Sequence, residues 1–205
     1  MISDNDEPVT GQAVLRTSRL TLAPLADEHL RYEVELDADP QVMRYLGNGK
    51  ARTPEEVAFY HRHRLERAEW VPGLGFWAGF TGDEGKDGAD FVGWWALEPP
   101  GRPDQGPADG QAELGYRLLP RYWRQGFAGE GSRELLRYGF ADLKLNRIFA
   151  ETMAVNEASR ATMASLGLTY VRTFYADWNE PIPGAEHGEV EYAITRDEWL
   201  ARYPR

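Results

Sequence analysis

The chain contains no cysteine, so disulfide bonds, thiolate metal sites and a cysteine nucleophile are all excluded. Long apolar runs are also missing, and no segment is long enough to span a bilayer. The first residues, MISDNDEPVTGQ, are acidic and polar and lack the apolar region of a secretion signal. We therefore expect a cytoplasmic protein that has no membrane partner.

Basic residues are in the minority. The chain has 23 Lys and Arg against 33 Asp and Glu, a formal net charge of −10 and a sequence pI of about 4.9. This balance argues against a nucleic-acid partner, because a nucleic-acid surface needs clustered positive charge. It fits a small cationic substrate, although ordinary solubility explains it equally well.

Histidines are few, and their spacing does not favour a metal site. His61 and His63 lie on one predicted helix, where residues i and i+2 point to different sides. His29 and His187 stand alone in the sequence. We therefore expect no bound metal.

What the chain does have is enough apolar and aromatic material for a full core. Hydrophobic residues make up 42% of it, aromatic residues 12%, and it carries seven tryptophans. A length of 205 residues suits one domain. We predict a disordered arm over residues 1–12 and a single domain over residues 13–205. Trp77, Trp94 and Trp95 are expected to pack in the core between strands.

Apolar periodicity predicts one strand, then helices, three strands, a helix, a strand, a helix and two strands. VLRTSRLTLAPL has the alternation of one half-buried strand. GFWAGFT and DFVGWWALE are rich in aromatic residues and flank TGDEGKDGAD, a turn rich in glycine and aspartate, which predicts a hairpin. Thr53 through Glu56 predict a capping box for a helix that runs to about Trp70. Another helix is predicted over residues 126–144. The order indicates a mixed α/β (α+β) fold.

The stretch PRYWRQGFAGEGSRELLRYGF places glycines where this last helix should start. A glycine-rich turn between a strand and a helix directs free backbone N–H groups to one point, and the helix dipole adds positive potential. Such a turn suits a phosphate, although packing alone is an equally good reason for the glycines. The spacing fits neither a P-loop, since no lysine follows, nor the dinucleotide fingerprint. A pyrophosphate bound by backbone alone is the phosphate reading that remains.

WRQGFAGEG resembles the acetyl-coenzyme A motif of the GNAT acetyltransferases, [QR]-x-x-G-x-[GA], and follows a predicted strand as it does there. VNEASRATMASLGL resembles the second signature of that family, Asn-x-x-Ser followed by a Gly-hydrophobic pair. The chain is most similar to the branch that includes the ribosomal-protein N-terminal acetyltransferases, over roughly residues 13 to 200. Trp123 replaces the Gln or Arg of the general motif, as is usual in this branch. Arg124 stands where the branch commonly has glycine, which matters little where backbone amides bind. The resemblance implies a GNAT-like, mostly antiparallel twisted sheet flanked by helices.

The resemblance also implies where acetyl-CoA binds. Strand residues Tyr116 to Leu118 would pair with the pantetheine, and the Leu118 N–H would polarise the thioester carbonyl. Asn156 is placed against the cofactor in the family, although it also suits a plain helix N-cap. Backbone amides around the pyrophosphate would come from Arg124, Gln125, Gly126, Phe127, Ala128 and Gly129.

Catalytic roles follow from the chemistry of an amine acceptor, which must lose a proton before it attacks. Glu113, on the strand that enters the motif, is the best candidate base, directly or through water, with Glu151 in reserve. Either can be an ordinary solvent-facing carboxylate. In the related branch a serine at the position of Ser159 can protonate the departing thiolate and also contacts the cofactor. A polar first-turn residue is an equally good explanation for Ser159, and Tyr175 is the alternative acid.

The function implied is transfer of acetyl from acetyl-CoA directly to a primary amine in a ternary complex. Without cysteine, the usual acyl-enzyme route is absent. The acceptor is either a protein N-terminus or a small cationic amine, and a homodimer is left open. The alternative is an acyl-CoA-binding regulatory or partner-binding module on the same fold, because fold alone does not fix function.

Overall fold

The computed structural model describes residues 11–83, 86, 88–175 and 181–203. Most of the predicted disordered arm, residues 1–10, lies outside the described residues. The strands are β1 (Leu15–Arg16), β2 (Thr21–Pro24), β3 (Gly75–Phe80), β4 (Phe91–Glu98), β5 (Gln111–Leu118), β6 (Arg147–Met153), β7 (Thr169–Phe174) and β8 (Glu189–Thr195). The α-helices are α1 (Leu30–Asp37), α2 (Pro40–Met43), α3 (Pro54–Ala68), α4 (Phe127–Arg137), α5 (Glu157–Ser165) and α6 (Arg196–Arg202).

The strands of the described residues form one sheet in the order β1-β2-β3-β4-β5-β6-β8-β7. Neighbouring strands are antiparallel except β5 and β6, which are parallel. This confirms the predicted mixed, mostly antiparallel sheet and the β3–β4 hairpin. No helix in the described part of the chain is long and apolar enough to cross a membrane.

The prediction of one strand for VLRTSRLTLAPL is wrong. The segment forms the short antiparallel hairpin β1–β2, with Leu15 opposite Leu22. The Thr17 N–H donates to the Leu20 carbonyl at 2.9 Å, which closes the turn. In a single strand, Leu15 and Leu20 would point to opposite faces because their spacing is odd. The turn resolves this conflict and buries both leucines.

The predicted start of α3 is confirmed, whereas the helix predicted over residues 126–144 is wrong in its length. α3 starts with the predicted capping box, since the Glu56 N–H donates to Thr53 Oγ1 at 3.3 Å and the Thr53 N–H donates to Glu56 Oε2 at 2.8 Å. The helix predicted over residues 126–144 is shorter. α4 passes at Tyr138 into a π-helical turn that ends at Asp142. The wider turn directs the Tyr138 hydroxyl into the core, where it donates to the Gly73 carbonyl at 3.1 Å.

Helices cover both faces of the sheet. On one face, here called the α1 face, α1 to α3 pack against β3 and β4 through residues such as Leu36, Val42 and Trp94. On the other, here called the α4 face, α4 and α5 pack through Leu135 and Met163. The predicted packing of the tryptophans is confirmed, because Trp77, Trp94 and Trp95 are buried, with Trp77 opposite Trp95 in the hairpin.

Buried ion pairs fix α1 over β5. Asp37 at the end of α1 accepts from Arg52 Nη1 at 2.9 Å and from Arg117 Nη1 of β5. Burial lowers the pKa of Arg117 to about 10, although Asp37 opposes that shift. Because an ion pair out of contact with water needs both partners, these contacts hold α1 at one place on the sheet.

The glycines of α4 have a packing role as well as a conformational one. A Cβ added to Gly131 would lie 2.5 Å from Trp95 Cε2, so only glycine lets the helix approach the indole.

We expect Gly131→Ala to lower the free energy of unfolding by about 1–3 kcal/mol through overpacking, despite the better helix propensity of alanine. Gly129→Ala is the matched control, since its Cβ would meet only the flexible Arg133 side chain. Thermal denaturation in which both variants are equally stable would contradict this expectation.

Candidate active site

The turn that precedes α4 has the backbone geometry expected of an anion site. Arg124 has φ 58° and Gly126, the N-cap, has φ 84°, both in the left-handed region. The N–H groups of Phe127, Ala128 and Gly129 belong to the first helical turn, where no carbonyl of the helix can accept from them. Three of the six predicted amides, those of Phe127, Ala128 and Gly129, therefore lie at a helix N-terminus. A pyrophosphate fits this cradle by its charge.

A cation that sequence reasoning missed lies at the same turn. Arg19, in the β1–β2 turn, donates through Nη1 to the Gln125 carbonyl at 3.0 Å, and its guanidinium lies 4.2 Å from the centre of the Phe127 ring. Arg19 Nε also donates to Glu130 Oε2 at 2.6 Å. Burial alone would raise the pKa of Glu130, but hydrogen bonds from Thr17 and Arg19 outweigh it and lower the pKa. Nothing in the local sequence predicts this contact, because the residues are far apart along the chain.

The two central strands separate beside this turn. β5 pairs with β6 only from Gln111 to Glu113 within the described residues. The Leu119 N–H donates to the Val92 carbonyl of β4 at 3.0 Å, and backbone groups alternate between the two edges of a strand. The N–H groups of Leu118 and Tyr116 therefore point to the open edge. An extended chain can pair there as an added strand.

Hydroxyl groups meet across this opening. Ser159, in the first turn of α5, has its Oγ 3.1 Å from the Tyr116 hydroxyl. Burial raises the pKa of Tyr116 and the hydrogen bond to Ser159 opposes it. Asn156 is the N-cap of α5, since its Oδ1 accepts from the Ser159 N–H at 3.3 Å. Tyr175, the alternative acid, lies at the end of the edge strand β7 and is 73% exposed. The hydroxyl that lies beside Ser159 is thus that of Tyr116, whereas the Tyr175 side chain is largely exposed to solvent.

Glu113 has the environment of a general base that works near neutral pH. Its carboxylate lies on the α1 face, at the last paired residue before β5 and β6 separate. Burial raises its pKa to about 8, together with the negative charges of Glu98 and Glu151. Gln105 donates through Nε2 to Glu113 Oε2 at 3.0 Å, which opposes the shift. A carboxyl group with this pKa can take a proton and release it at physiological pH.

Glu151, the reserve base, lies beside Glu113 but is bound differently. It accepts from Gln105 Nε2 at 3.1 Å and forms an ion pair with Arg102 at 2.7 Å. Because Arg102 Nη2 contacts both oxygens of Glu151, at 3.0 and 2.7 Å, this carboxylate is already covered by a cation. The geometry therefore favours Glu113 over Glu151 as the base. Within the described residues, no group of three or more His, Asp and Glu is arranged to hold a metal ion.

Known proteins share both the sequence and the fold. The model of the Acetyltransferase (GNAT) domain matches residues 19–169. The FsC-acetyl coenzyme A-N(2)-transacetylase of Aspergillus fumigatus is 44% identical over 195 residues, 94% of this chain and 80% of that protein.

Two solved structures have the same fold at low identity. Spermidine N-acetyltransferase from Vibrio cholerae, with CoA and spermine, has a TM-score of 0.70 at 17% identity and covers 90% of this chain and 99% of its own. RimL, a ribosomal L7/L12 alpha-N-protein acetyltransferase in complex with coenzyme A, has a TM-score of 0.70 at 16% identity. The match covers 89% of this chain and 98% of the RimL chain. The family model and the similarity in sequence agree with the site geometry, and the chain belongs to the GNAT family of N-acetyltransferases.

Proposed function

We propose that this enzyme transfers acetyl from acetyl-CoA directly to the primary amine of a small cationic molecule. One observation carries the proposal. Glu113 is the last residue of β5 paired with β6, and the open edge that follows leads to the turn before α4. A base, an edge for an extended pantetheine and a cradle for a pyrophosphate therefore lie in that order along one stretch of chain. Acetyl-CoA supplies the activated acetyl group, and residues of this chain bind it and move protons.

Glu113 takes the proton of the acceptor ammonium. Its position on the α1 face lets an amine approach the opening from the side opposite α4 and α5. Its raised pKa makes the carboxylate a stronger base than an exposed glutamate. A buried carboxylate also attracts an ammonium ion, since the charge is poorly screened there.

Leu118 stabilises the negative charge that develops on the acetyl oxygen. Its N–H points to the open edge, and its carbonyl accepts from the Trp123 indole at 2.8 Å, which fixes the end of the strand. A donor fixed before the reaction needs no reorganisation when charge develops.

Ser159 donates a proton to the departing sulfur and regains one from solvent through the neighbouring Tyr116 hydroxyl, while the second proton of the attacking nitrogen leaves to solvent. We expect Ser159→Ala to lower kcat about 10- to 100-fold and to leave the KM for acetyl-CoA unchanged. Ser165→Ala, which removes an exposed hydroxyl from the same helix, is the matched control. Wild-type turnover in Ser159→Ala would assign the proton to Tyr116, which Tyr116→Phe then tests.

The names of the relatives support a choice of acceptors. The A. fumigatus protein is named for transfer to an N(2) nitrogen of FsC, and the V. cholerae structure is that of a spermidine N-acetyltransferase. RimL is named for the α-amino group of a ribosomal protein, but its identity to this chain is only 16%. The much higher similarity to the A. fumigatus protein favours an acceptor of the kind in that name over a protein N-terminus.

The test is a screen for CoA release with acetyl-CoA and a panel of FsC, spermidine and N-terminal peptides. We expect turnover with at least one of the small amines and much less with the peptides. Selective turnover of a peptide would change the acceptor class. Tight CoA binding by calorimetry without turnover of any amine would instead support the acyl-CoA-binding module.

A further inference from the structure

The loop of residues 99–110, here called the β4–β5 loop, covers the carboxylates of the α1 face. It runs from the end of β4 to the start of β5, so it is joined directly to the strand that carries Glu113. Arg172 of β7 holds it by donating through Nη2 to Asp104 Oδ2 at 2.9 Å and to the Asp104 carbonyl at 3.0 Å. The loop therefore lies where an acceptor must approach the base.

Gln105 fixes the two carboxylates relative to each other. Its Oε1 accepts from the N–H groups of Gly101 at 2.7 Å and Arg102 at 3.0 Å, which leaves the amide nitrogen to face the sheet. Nε2 then donates to Glu113 Oε2 and Glu151 Oε2 at 3.0 and 3.1 Å. This one nitrogen bridges the two carboxylates and so keeps Glu151 next to Glu113. Gln105 itself is 4% exposed, as expected of a side chain with its polar groups satisfied.

Arg102 is the cation that contacts Glu151, the second of these carboxylates. Its Nη2 donates to both Glu151 oxygens, at 3.0 and 2.7 Å, and its guanidinium lies 5.2 Å from the centre of the Phe174 ring. The Glu151 side chain is 8% exposed, whereas that of Arg102 is 46% exposed. A largely buried carboxylate is thus covered by a cation that extends into solvent. A carboxylate and an aromatic face together are also what an alkylammonium ion prefers.

We propose that Arg102 occupies the acceptor's cation subsite and that the acceptor ammonium displaces it from Glu151 on binding, so that Arg102 sets the enzyme's affinity for cationic amines. The inference rests on the proposed function, because it needs an amine that reaches Glu113. Displacement leaves no buried charge unpaired, because the ammonium replaces the guanidinium on Glu151, and the Arg102 side chain, which is already 46% exposed, can keep its contact with Asp104. Gln105 stays in place and keeps the two carboxylates together. The ammonium then lies on Glu151, next to the base that takes its proton.

The test compares Arg102→Gln with Arg102→Lys, which keeps the charge, and with Arg137→Gln. Arg137 pairs with Glu134 and Asp142 and is 43% exposed, so it is a matched ion pair on the opposite face of the sheet. In Arg102→Gln we expect the KM of the best amine in the panel to fall about three- to fivefold, with the KM for acetyl-CoA unchanged. The inhibition constant of n-butyltrimethylammonium, a cation that cannot be acetylated, should fall by the same factor. Arg102→Lys and Arg137→Gln should resemble the wild type.

Each other outcome counts against the inference. An amine KM that is unchanged or higher in Arg102→Gln, in an enzyme that turns over amines, would overturn the displacement and leave the proposed function standing. A variant that binds acetyl-CoA normally but loses kcat would show that Arg102 only holds the loop. Absence of turnover with every amine, in wild type and variants alike, would overturn both the proposed function and this inference.

Discussion

Replacement of Glu113 by glutamine is expected to lower kcat/KM for the amine about 10²- to 10⁴-fold at neutral pH, the usual contribution of a general base. In the wild type, kcat/KM should rise with pH through an ionisation at about 8, because burial and two neighbouring carboxylates raise the pKa of Glu113. The variant should lack this ionisation and recover part of its activity at high pH, where the free amine is abundant. Initial rates over a pH series, with at least two amines of different pKa, separate the enzyme's ionisation from that of the acceptor.

Glu98→Gln is the matched control for this experiment. Glu98 pairs with Glu113 across β4 and β5, and its negative charge helps to raise the pKa of Glu113. Its removal should shift the ionisation to lower pH without a large loss of activity. If Glu113→Gln keeps the wild-type profile, the base lies elsewhere and Glu151→Gln is the next variant to measure.

The same carboxyl group should affect stability, with a sign that follows from its pKa. The folded-state pKa of about 8 is above the ordinary value of 4.5, so the folded protein retains the proton more strongly than the unfolded chain. Its contribution is fully present below the ordinary value and is lost as pH rises through the folded value. Glu113→Gln should therefore be more stable than the wild type at about pH 9, with a difference that shrinks towards about pH 5. A melting temperature that differs equally at both pH values would contradict the assigned pKa.

Gly126→Val is expected to weaken CoA binding about 10- to 100-fold or more, because a hydrogen bond to a charged group contributes about 1.5–3 kcal/mol and the added side chain would keep phosphate oxygens from the amides. Within the protein itself, a Cβ at Gly126 would meet only Arg19 Nη2, at 3.4 Å. The added side chain therefore has room in the fold, and the main structural cost is a left-handed backbone, about 1–2 kcal/mol. Calorimetry with CoA measures the loss directly.

Gly88→Val controls for the backbone cost. Gly88 has the same φ of 84°, in the turn between β3 and β4, and a Cβ there would meet nothing within 4 Å. Both variants should therefore lose similar stability, while only Gly126→Val loses affinity for CoA. Unchanged CoA affinity in a folded Gly126→Val protein would remove the pyrophosphate assignment from this turn.

Local signals in the sequence predicted most of the secondary structure. The capping box at Thr53, the hairpin of the aromatic-rich strands β3 and β4 and the N-cap at Asn156 depend on neighbours a few residues away, and each appears in the structure. The prediction of one strand for VLRTSRLTLAPL was wrong because Leu15 and Leu20 are an odd number of residues apart, so that only a turn brings both to the same face. The glycine turn was located from sequence, but the reason for Gly131 was not, since Trp95 is distant in the chain.

The sequence by itself determined the family motifs, the turn for the anion and the residue types available for acid–base chemistry, because each is encoded in a short contiguous stretch. Only the tertiary structure decided which residues surround each of the two candidate carboxylates. In the sequence, Glu113 and Glu151 are both glutamates on predicted strands, and nothing local distinguishes them. Burial, the register of β5 with β6 and the arrival of Gln105 and Arg102 from a distant loop make them different. A pKa depends on every charge and dipole within a few ångströms, and folding brings those groups together from positions far apart in the chain.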